Sequence, residues 1–301
     1  MKLNILGCYS ATPRSFTNPT AQVLELNNHL FLIDCGEGTQ VQLRRHKIKF
    51  NRIKHIFISH LHGDHFFGLV GLISTMRLLT READLHIHAP KGLKEVITLQ
   101  MKLSNSWTNY NLIFHELSNT VSELIFEDNK VEVYTIPLNH RVYTNGFLFK
   151  EKLGERKLDI AAVDAADIDV AYFRKLKQGF DVKDNKGNLV KNNSVTSPPK
   201  QPKSYAFCSD TAYKEDIVPI IKNVDVLYHE STFLEQHAHL APLTKHSTAK
   251  EAGKIAKQAN AGTLILGHYS TRYKNLNAFK TEAQEYFENV ELADDGKVFN
   301  F

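Results

Sequence analysis

Short apolar runs recur along the chain, and each is bounded by turn residues or by a segment with helical periodicity. Asn27-Asn28 separates two of these runs and suits the tight turn of a β-hairpin, because Asn tolerates the left-handed backbone conformation. The pattern predicts strands over Lys2 to Tyr9, Gln22 to Asn27, Leu30 to Asp34, Ile53 to Ser59, Leu85 to Ala89, Leu112 to Leu117, Leu124 to Phe126, Val131 to Pro137, Ser204 to Asp210, Val226 to His229, Thr263 to Leu266 and Val290 to Leu292.

Longer segments with helical periodicity stand between the strands. They predict helices over Glu37 to His46, Phe66 to Leu79, Leu93 to Leu103, Glu215 to Lys222, Ser247 to Asn260 and Ala278 to Glu288. Strands followed by helices, twice over, predict a layered α/β architecture with the sheets inside and the helices outside.

The character of the sequence changes after Lys150. From Glu151 to Lys203 the chain is polar and rich in turn residues, which predicts an excursion from the core. Residues 150–203 carry 12 basic and 8 acidic side chains, and this surplus of four equals the formal charge of the whole chain, +4. We therefore expect residues 1–150 and 204–301 to form two halves of one domain, with 151–203 as an inserted basic arm.

Composition narrows the class of protein. With 301 residues, of which 42% are hydrophobic and 23% charged, the chain has the make-up of a globular protein and not of a disordered or fibrous one. Its three cysteines, Cys8, Cys35 and Cys208, form no close pair, which favours a reducing cytoplasm over a disulfide framework. A secretory leader and an apolar stretch of membrane-spanning length are both missing from the pattern, so we expect no membrane association.

The segment His60-Leu61-His62-Gly63-Asp64-His65 follows the predicted strand Ile53 to Ser59 directly. Neutral imidazole and carboxylate are good zinc ligands, and a turn at a strand end can aim all four side chains into one cleft. Four such ligands exceed what one tetrahedral ion with a bound water can use, whereas two neighbouring ions can use them all. The alternative is that these are surface histidines on a polar loop.

Three more residues stand just past the carboxyl end of an apolar strand: His140, Asp210 and His268. Each by itself would suit an ordinary loop. Their shared position after a strand is the reason that we treat them as further ligand candidates.

The chain resembles the metallo-β-lactamase superfamily through His60-Leu61-His62-Gly63-Asp64-His65 and the downstream His140, Asp210 and His268. Further motifs narrow the resemblance to the tRNase Z family, and these are Gly36-Glu37-Gly38-Thr39-Gln40, His229-Glu230-Ser231-Thr232-Phe233, His246-Ser247-Thr248 and Tyr269-Ser270-Thr271-Arg272-Tyr273. The resemblance implies a four-layer αββα sandwich with an inserted flexible arm. It also implies a zinc-dependent endoribonuclease that cuts precursor tRNA after the discriminator nucleotide and leaves a tRNA 3′ hydroxyl.

The resemblance also implies roles for single residues. Two zinc ions per subunit would be held by His60, His62 and His140, by Asp64, His65 and His268, and by Asp210 as the bridge. Manganese is an alternative, because dinuclear sites rich in carboxylates accept both ions. Asp64 would be the general base, and His246, oriented by Glu230, would donate a proton to the leaving oxygen. Alternatively, Glu230 and His246 only fix a loop, and Ser247 or Thr248 caps the helix that starts there.

Substrate binding is implied in the same way. In the family an arm clamps tRNA, within a homodimer in which the arm of one subunit serves the active site of the other. The cations implied in phosphate contacts are Arg14, Arg174, Lys175, Lys177, Arg272 and those of Lys200-Gln201-Pro202-Lys203. A solvated charged loop is the alternative for the arm.

Two other functions stay open from the sequence. One is another hydrolase of the superfamily, such as an arylsulfatase, a lactonase or a cyclic-nucleotide phosphodiesterase, because a fold does not fix a function. The other is a non-catalytic RNA-binding protein on the same fold.

Overall fold

Every strand that the hydrophobic pattern predicts is present in the computed structural model, which describes residues 1–12 and 14–301. The pattern missed β9, an interior strand of the second large sheet, together with the edge strand β18 and four strands of two residues each. The strands are β1 (Lys2–Gly7), β2 (Ala21–Leu26), β3 (His29–Ile33), β4 (Ile53–Phe57), β5 (Leu85–Pro90), β6 (Leu112–Leu117), β7 (Leu124–Glu127), β8 (Val131–Pro137), β9 (Asn145–Glu151), β10 (Lys157–Leu158), β11 (Val182–Lys183), β12 (Leu189–Val190), β13 (Thr196–Ser197), β14 (Ser204–Cys208), β15 (Val226–Glu230), β16 (Thr263–Gly267), β17 (Val290–Leu292) and β18 (Val298–Asn300).

The longer strands form two sheets of seven. The first has the order β18-β1-β2-β3-β4-β5-β6, and the second has the order β17-β16-β15-β14-β9-β8-β7. Pairing is parallel from β3 to β6 in the first sheet and from β14 to β17 in the second. Each sheet therefore has a run of strands whose carboxyl ends point the same way, which is where α/β proteins place their functional side chains.

Some of the helices pack on the outer faces of the two sheets, and others lie within residues 151–202. The helices are α1 (Thr39–Arg45), α2 (Gly63–Phe66), α3 (Leu69–Leu78), α4 (Leu93–Leu103), α5 (Ile160–Ala165), α6 (Phe173–Lys177), α7 (Asn192–Val195), α8 (Ala241–Thr244), α9 (Ala249–Gln258) and α10 (Asn277–Gln284). One apolar core joins the first sheet to α1, α3 and α4, and another fills the space between the sheets and continues to α9 and α10. The result is the helix–sheet–sheet–helix order that the sequence predicts.

The predicted helix over Glu215 to Lys222 is wrong. Only one turn of 3-10 helix forms, at Glu215–Ile217, and turns follow it. Pro219 is the physical reason, because proline has no amide hydrogen to donate to the carbonyl oxygen of Glu215, one helical turn earlier.

The chain divides into two compact units. The first comprises residues 1–127, 131–150 and 203–301, and the second comprises 128–130 and 151–202. The second unit contains α5, α6, α7 and the strand pairs β10–β13 and β11–β12 around a small apolar cluster of Val163, Ile168, Leu176, Val182 and Val195. The polar excursion expected here is therefore folded. The sequence does not indicate this, because the few apolar residues of the segment are too widely spaced to show a helical or strand periodicity.

Within residues 1–12 and 14–301, no helix combines the length and the apolar character needed to cross a bilayer.

Four histidines on three neighbouring strands stack at one side of the first sheet. His55 on β4 pairs with His86 on β5, and His88 pairs with His115 on β6. The ring centroids of His88 and His115 lie 4.3 Å apart, and the His88 ring also stacks on Phe57 at 4.5 Å. His88 is buried, and burial together with the neighbouring histidines lowers its pKa to about 2.

This low pKa predicts that acid destabilises the fold through His88. The unfolded chain binds a proton at His88 below about pH 6.5, and the folded chain does so only near its own pKa, about 2. The free energy of unfolding therefore falls as the pH falls below about 6.5, by up to about 1.4 kcal/mol per pH unit for this one group. His88→Phe keeps a stacked ring and removes the titration, so between pH 7 and pH 5 it should lose about 2 kcal/mol less than the wild type.

Urea unfolding of metal-free protein at several pH values measures this difference. His239→Phe, at an exposed histidine, is the control and should follow the wild type. Equal losses for the wild type and His88→Phe would contradict the prediction.

Candidate metal centre

Polar side chains from both sheets meet where their strands end. Four come from one short segment after β4, and four come from the ends of other strands. The residues are His60, His62, Asp64 and His65 after β4, His140 after β8, Asp210 after β14, Glu230 at the end of β15 and His268 after β16. The structure thus brings together all the ligand candidates that the sequence predicts, and it places Glu230 and His246 beside them.

A first group of ligand atoms surrounds one point. His60 Nε2 lies 2.9 Å from His62 Nδ1, which lies 3.2 Å from His140 Nε2. Asp210 Oδ2 lies 3.6 Å from His60 Nε2 and 3.8 Å from His140 Nε2. A tetrahedral zinc ion sets its ligand atoms about 3.3 Å apart, so these spacings suit such an ion.

A second group lies on the other side of Asp210. Asp64 Oδ2 is 3.4 Å from His65 Nε2 and 3.5 Å from His268 Nε2. The other oxygen of Asp210, Oδ1, is 3.5 Å from His65 Nε2 and 3.2 Å from His268 Nε2. Because each of its oxygens faces a different group, the Asp210 carboxylate has the geometry of a bridge between two ions.

Hydrogen bonds at Nδ1 leave Nε2 of four histidines free to bind an ion. His65 Nδ1 donates to Asp34 Oδ2 at 2.7 Å, and His140 Nδ1 donates to the carbonyl oxygen of Lys245 at 2.8 Å. His268 Nδ1 lies 2.9 Å from Thr232 Oγ1, and His60 Nδ1 lies 3.0 Å from Ser59 Oγ. Bonds of this kind fix both the tautomer and the ring orientation of metal-binding histidines.

Unpartnered buried atoms support the assignment of a metal centre. His65 Nε2, His268 Nε2 and Asp210 Oδ1 are buried and have no hydrogen-bond partner among the residues that the structure describes. Leaving such atoms unpaired costs free energy. A divalent cation held by the second group would satisfy all three, so the residues present there fit a metal ion.

The electrostatics of the site also favour bound cations. Burial, with His65 nearby, holds the pKa of His60 well below its ordinary value, and burial lowers the pKa of His140 to about 4. Both rings are therefore neutral, which is the form that binds metals. Burial opposes a charge on Asp210, but His268 and His65 outweigh it and keep the pKa of this carboxyl well below its usual range.

His246 and Glu230 form a charged pair beside the two groups. His246 Nδ1 donates to Glu230 Oε1 at 2.9 Å, and the fully buried Glu230 also accepts hydrogen bonds from the backbone amides of Thr211, Thr232 and Ser247. Although burial disfavours the protonated ring, Glu230 and Asp210 raise the pKa of His246 to about 9. Thr248 separately caps α9 through a capping box, so the loop-fixing role weighed in the sequence also has a structural basis.

The predicted substrate-binding cations lie in different places. Arg14 donates to the backbone carbonyl oxygens of Thr271 and Tyr273, and the Arg272 guanidinium lies 5.6 Å from the centre of the Phe233 ring. Both therefore lie in or next to the segment that follows His268. Arg174, Lys175 and Lys177 are exposed on α6 in the second unit.

The sequence analysis assigned no role to four residues of the site, which are Asp34, Ser59, Thr232 and Arg141. Asp34, at the end of β3, accepts hydrogen bonds from the Ser59 amide, the Ser59 hydroxyl and the His65 ring. Thr232 donates to Glu230 and accepts from His268, and Arg141 carries positive charge near His62 and His246. Two of them had a sequence signal: Asp34 stands at a strand end like the predicted ligands, and Thr232 stands in one of the motifs of the family resemblance.

Known proteins have sequences similar to this chain. Residues 1–154 match the family model described as Anti-Pycsar protein Apyc1. A Ribonuclease Z from Cytophaga hutchinsonii is 47% identical over 301 residues, which cover 99% of this chain and 95% of that protein.

Two solved structures are similar over the full length. Human tRNase Z, short form, has a TM-score of 0.73 and 27% identity, over 100% of this chain and 99% of that chain. The metallo-beta-lactamase fold protein YhfI from Bacillus subtilis has a TM-score of 0.69 and 17% identity, over 99% of this chain and 98% of that chain. The likeness to YhfI shows the fold alone, and it confirms the predicted four-layer metallo-β-lactamase architecture.

The contacts of Asp34 predict that it controls metal affinity without touching the ions. Asp34→Asn removes the charge that orients His65, so zinc affinity should fall about 10- to 100-fold, as is usual when the partner of a metal-binding histidine is lost. Competition with a chromophoric chelator measures the affinity. Asp225→Asn is the control, because Asp225 is bonded to Lys203 and Ser204 at the amino ends of β14 and β15. Equal zinc affinities for two folded variants would refute the role of Asp34.

Proposed function

Since the chain belongs to the ribonuclease Z family, and through residues 1–154 also to the family described as Anti-Pycsar protein Apyc1, we propose that it is a zinc-dependent endoribonuclease acting on precursor tRNA. It removes the 3′ trailer by cutting after the discriminator nucleotide, and it leaves a 3′ hydroxyl on the tRNA. The observation that carries the proposal is the Asp210 carboxylate, whose two oxygens face two separate groups of ligand atoms.

Each group of ligands would bind one of two ions. His60, His62 and His140 would hold one ion, Asp64, His65 and His268 would hold the other, and Asp210 would bridge them. Divalent ions bound by these residues would supply an acidified water as a nucleophile near neutral pH and positive charge against the phosphate. Manganese could replace zinc, because both ions accept this mixture of imidazole and carboxylate.

Asp64 is the proposed general base. Its Oδ2 faces His65 and His268, which leaves Oδ1 to accept a proton from the attacking water. Asp64 also lines a cavity with Tyr9 and Asn18, through which a substrate would approach it.

His246 is the proposed proton donor to the departing 3′ oxygen. Glu230 holds its Nδ1, so Nε2 is the nitrogen left to face the substrate. The ring of His246 lies 5.0 Å from that of His140 and 5.3 Å from that of His268, which places it beside both ligand groups. A donor at this position would stabilise the charge that develops on the leaving oxygen.

Basic side chains of the second unit are the proposed contacts with the body of the tRNA. Arg174, Lys175 and Lys177 all point to solvent from one short helix, whereas Leu176 between them is buried. Cations on one exposed face suit the phosphates of a folded RNA, which is recognised by shape and backbone. Arg14 and Arg272 would act nearer to the cut.

Assembly into a homodimer is also proposed. The outer face of α3 and α4 exposes Leu78, Leu99 and Leu103, of which Leu78 and Leu103 are about four-fifths exposed. An apolar surface of this kind suits contact with a second copy. All three cysteines are free thiols, which suits the reducing cytoplasm where tRNA is made.

The chemistry predicts the effects of two single substitutions. Purified protein loaded with zinc should cut a 3′-extended precursor tRNA after the discriminator nucleotide. Asp64→Ala should abolish the reaction, because it removes a ligand together with the base, and His246→Ala should slow cleavage about 10²- to 10⁴-fold at an unchanged cut site. Single-turnover rates with mapping of the product ends measure both effects. If the zinc-loaded wild type hydrolyses a small phosphodiester and leaves the tRNA intact, the metal centre stands and the proposed substrate is wrong.

We expect that deletion of Glu151 to Lys200 weakens the binding of precursor tRNA and leaves phosphodiester hydrolysis unchanged. Lys150 and Ser204 are paired neighbours on β9 and β14, so the remaining residues can close the gap with a tight turn. KM for precursor tRNA should rise at least tenfold, whereas hydrolysis of bis(p-nitrophenyl) phosphate should be unchanged. Equal KM values for tRNA before and after the deletion would contradict a binding role for the second unit.

A further inference from the structure

A cavity of about 660 Å³ lies next to the metal centre and contains none of its ligands. Its walls include Asn119, Asn139, Tyr143, Tyr213, Lys214 and Glu215. Its volume is in the range of sites that bind small molecules or parts of larger ones. No step proposed above uses it.

Two ligand-bearing loops form the cavity. Asn139 precedes the ligand His140, and Tyr213 follows the ligand Asp210 by three positions. The loops are tied to each other, because the Asn139 amide donates to Thr211 Oγ1 at 3.1 Å and the Ala212 amide donates to the Asn139 carbonyl oxygen at 2.9 Å. A molecule bound in the cavity would therefore keep a fixed position relative to His140 and Asp210.

The floor of the cavity is also tied to the centre. The Asn145 side chain donates to the Tyr143 hydroxyl at 2.7 Å, and that hydroxyl donates to the Asn119 carbonyl oxygen at 2.9 Å. The Asn145 amide donates to the carbonyl oxygen of Ser59, the residue before His60, at 3.1 Å. These bonds fix the Tyr143 wall relative to the metal ligands.

The chemistry of the walls favours an uncharged, planar occupant. Tyr143 and Tyr213 are both half-buried, and aromatic side chains are the usual stacking partners of unpaired bases. Among the lining residues, Glu215 and Asp216 outnumber the cation Lys214, whose Nζ donates to the Pro137 carbonyl oxygen, and this balance of charge disfavours a phosphate inside the cavity. The Arg141 cation, near His62, lies instead on the side of the metal centre.

We propose that this cavity binds a nucleobase adjacent to the cleaved phosphate, with Tyr213 as its stacking partner. The inference rests on the proposed function, because it requires a single-stranded RNA end that crosses the two ions. The base belongs either to the discriminator nucleotide or to the first nucleotide of the trailer, since the cut lies between them. Base recognition by stacking is tolerant of sequence, which suits an enzyme that must process many precursors.

Abasic substrates test the proposal. Three precursors are compared: intact, abasic at the discriminator position and abasic at the first trailer position. With the wild type, the abasic site at the occupied position should lower kcat/KM about ten- to hundredfold. Tyr213→Ala should lose a similar factor on the intact precursor and nothing further on that abasic one, whereas Tyr213→Phe, which keeps the ring, should behave like the wild type.

Controls separate the possible failures. Tyr286→Ala, at a tyrosine that contacts Lys254 outside the cavity, should match the wild type on all three substrates. If Tyr213→Ala loses the same factor on all three precursors, or loses none, the nucleobase pocket is refuted while the endoribonuclease stands. If the wild type cuts none of them, the proposed function itself fails.

A binding measurement covers the case in which Tyr213→Ala is inactive. Precursors with 2-aminopurine at either position are bound to Asp64→Ala, which does not cut them. Stacking on Tyr213 should quench the fluorescence at one position, and the double variant Asp64→Ala, Tyr213→Ala should restore it. Unchanged fluorescence at both positions would overturn the proposal.

Discussion

The Asp210 carboxylate is the interaction on which the rest of the site depends. Its two oxygens face two groups of ligand atoms, so one side chain sets the spacing of both groups. The imidazole nitrogens around it are crowded, and His60 Nε2 lies only 2.9 Å from His62 Nδ1. Such crowding persists only where surrounding bonds hold it, and the partners of the Nδ1 atoms supply these bonds.

Those partners explain why the site needs both sheets. Asp34 and Ser59 belong to the first sheet, and Thr232 belongs to the loop after β15 in the second. Ser209 Oγ, which follows β14, donates to Ser59 Oγ at 3.0 Å and joins the two sheets directly. The buried core between the sheets thus fixes the distance between the two halves of the ligand set.

The ligand candidates could be predicted from the sequence, because both their residue type and their position after a strand indicate metal binding. His60 to His65 follow an apolar strand, and His140, Asp210 and His268 do the same, so their meeting at one edge followed from the strands. Ser59 gave no signal, because a neutral hydroxyl side chain is common in any loop, and Thr232 was noted only as part of a family motif, without a role of its own. The roles of Asp64, His246 and Glu230 came from the family resemblance and not from the pattern.

The errors in the fold have equally local causes. A helix was predicted across Pro219 because the apolar spacing around it is helical, yet proline cannot continue the hydrogen-bond ladder. The sequence predicts a polar and irregular second unit, whereas the structure contains a small apolar cluster around Val163 and Leu176. The residues of this cluster come mostly from short elements of two to six residues. Elements of that length are too short for a hydrophobic periodicity to be recognised in the sequence.

The second unit leaves the first at β9 and returns at β14, and these strands are antiparallel neighbours paired at Lys150 and Ser204. Its two connections to the sheet are therefore adjacent, and the sheet is complete whatever lies between them. Over evolutionary time this arrangement lets the inserted segment grow, shrink or be exchanged by recombination without any change in the register of the ligand-bearing strands. The inserted segment can thus diverge while the ligand-bearing strands are inherited unaltered.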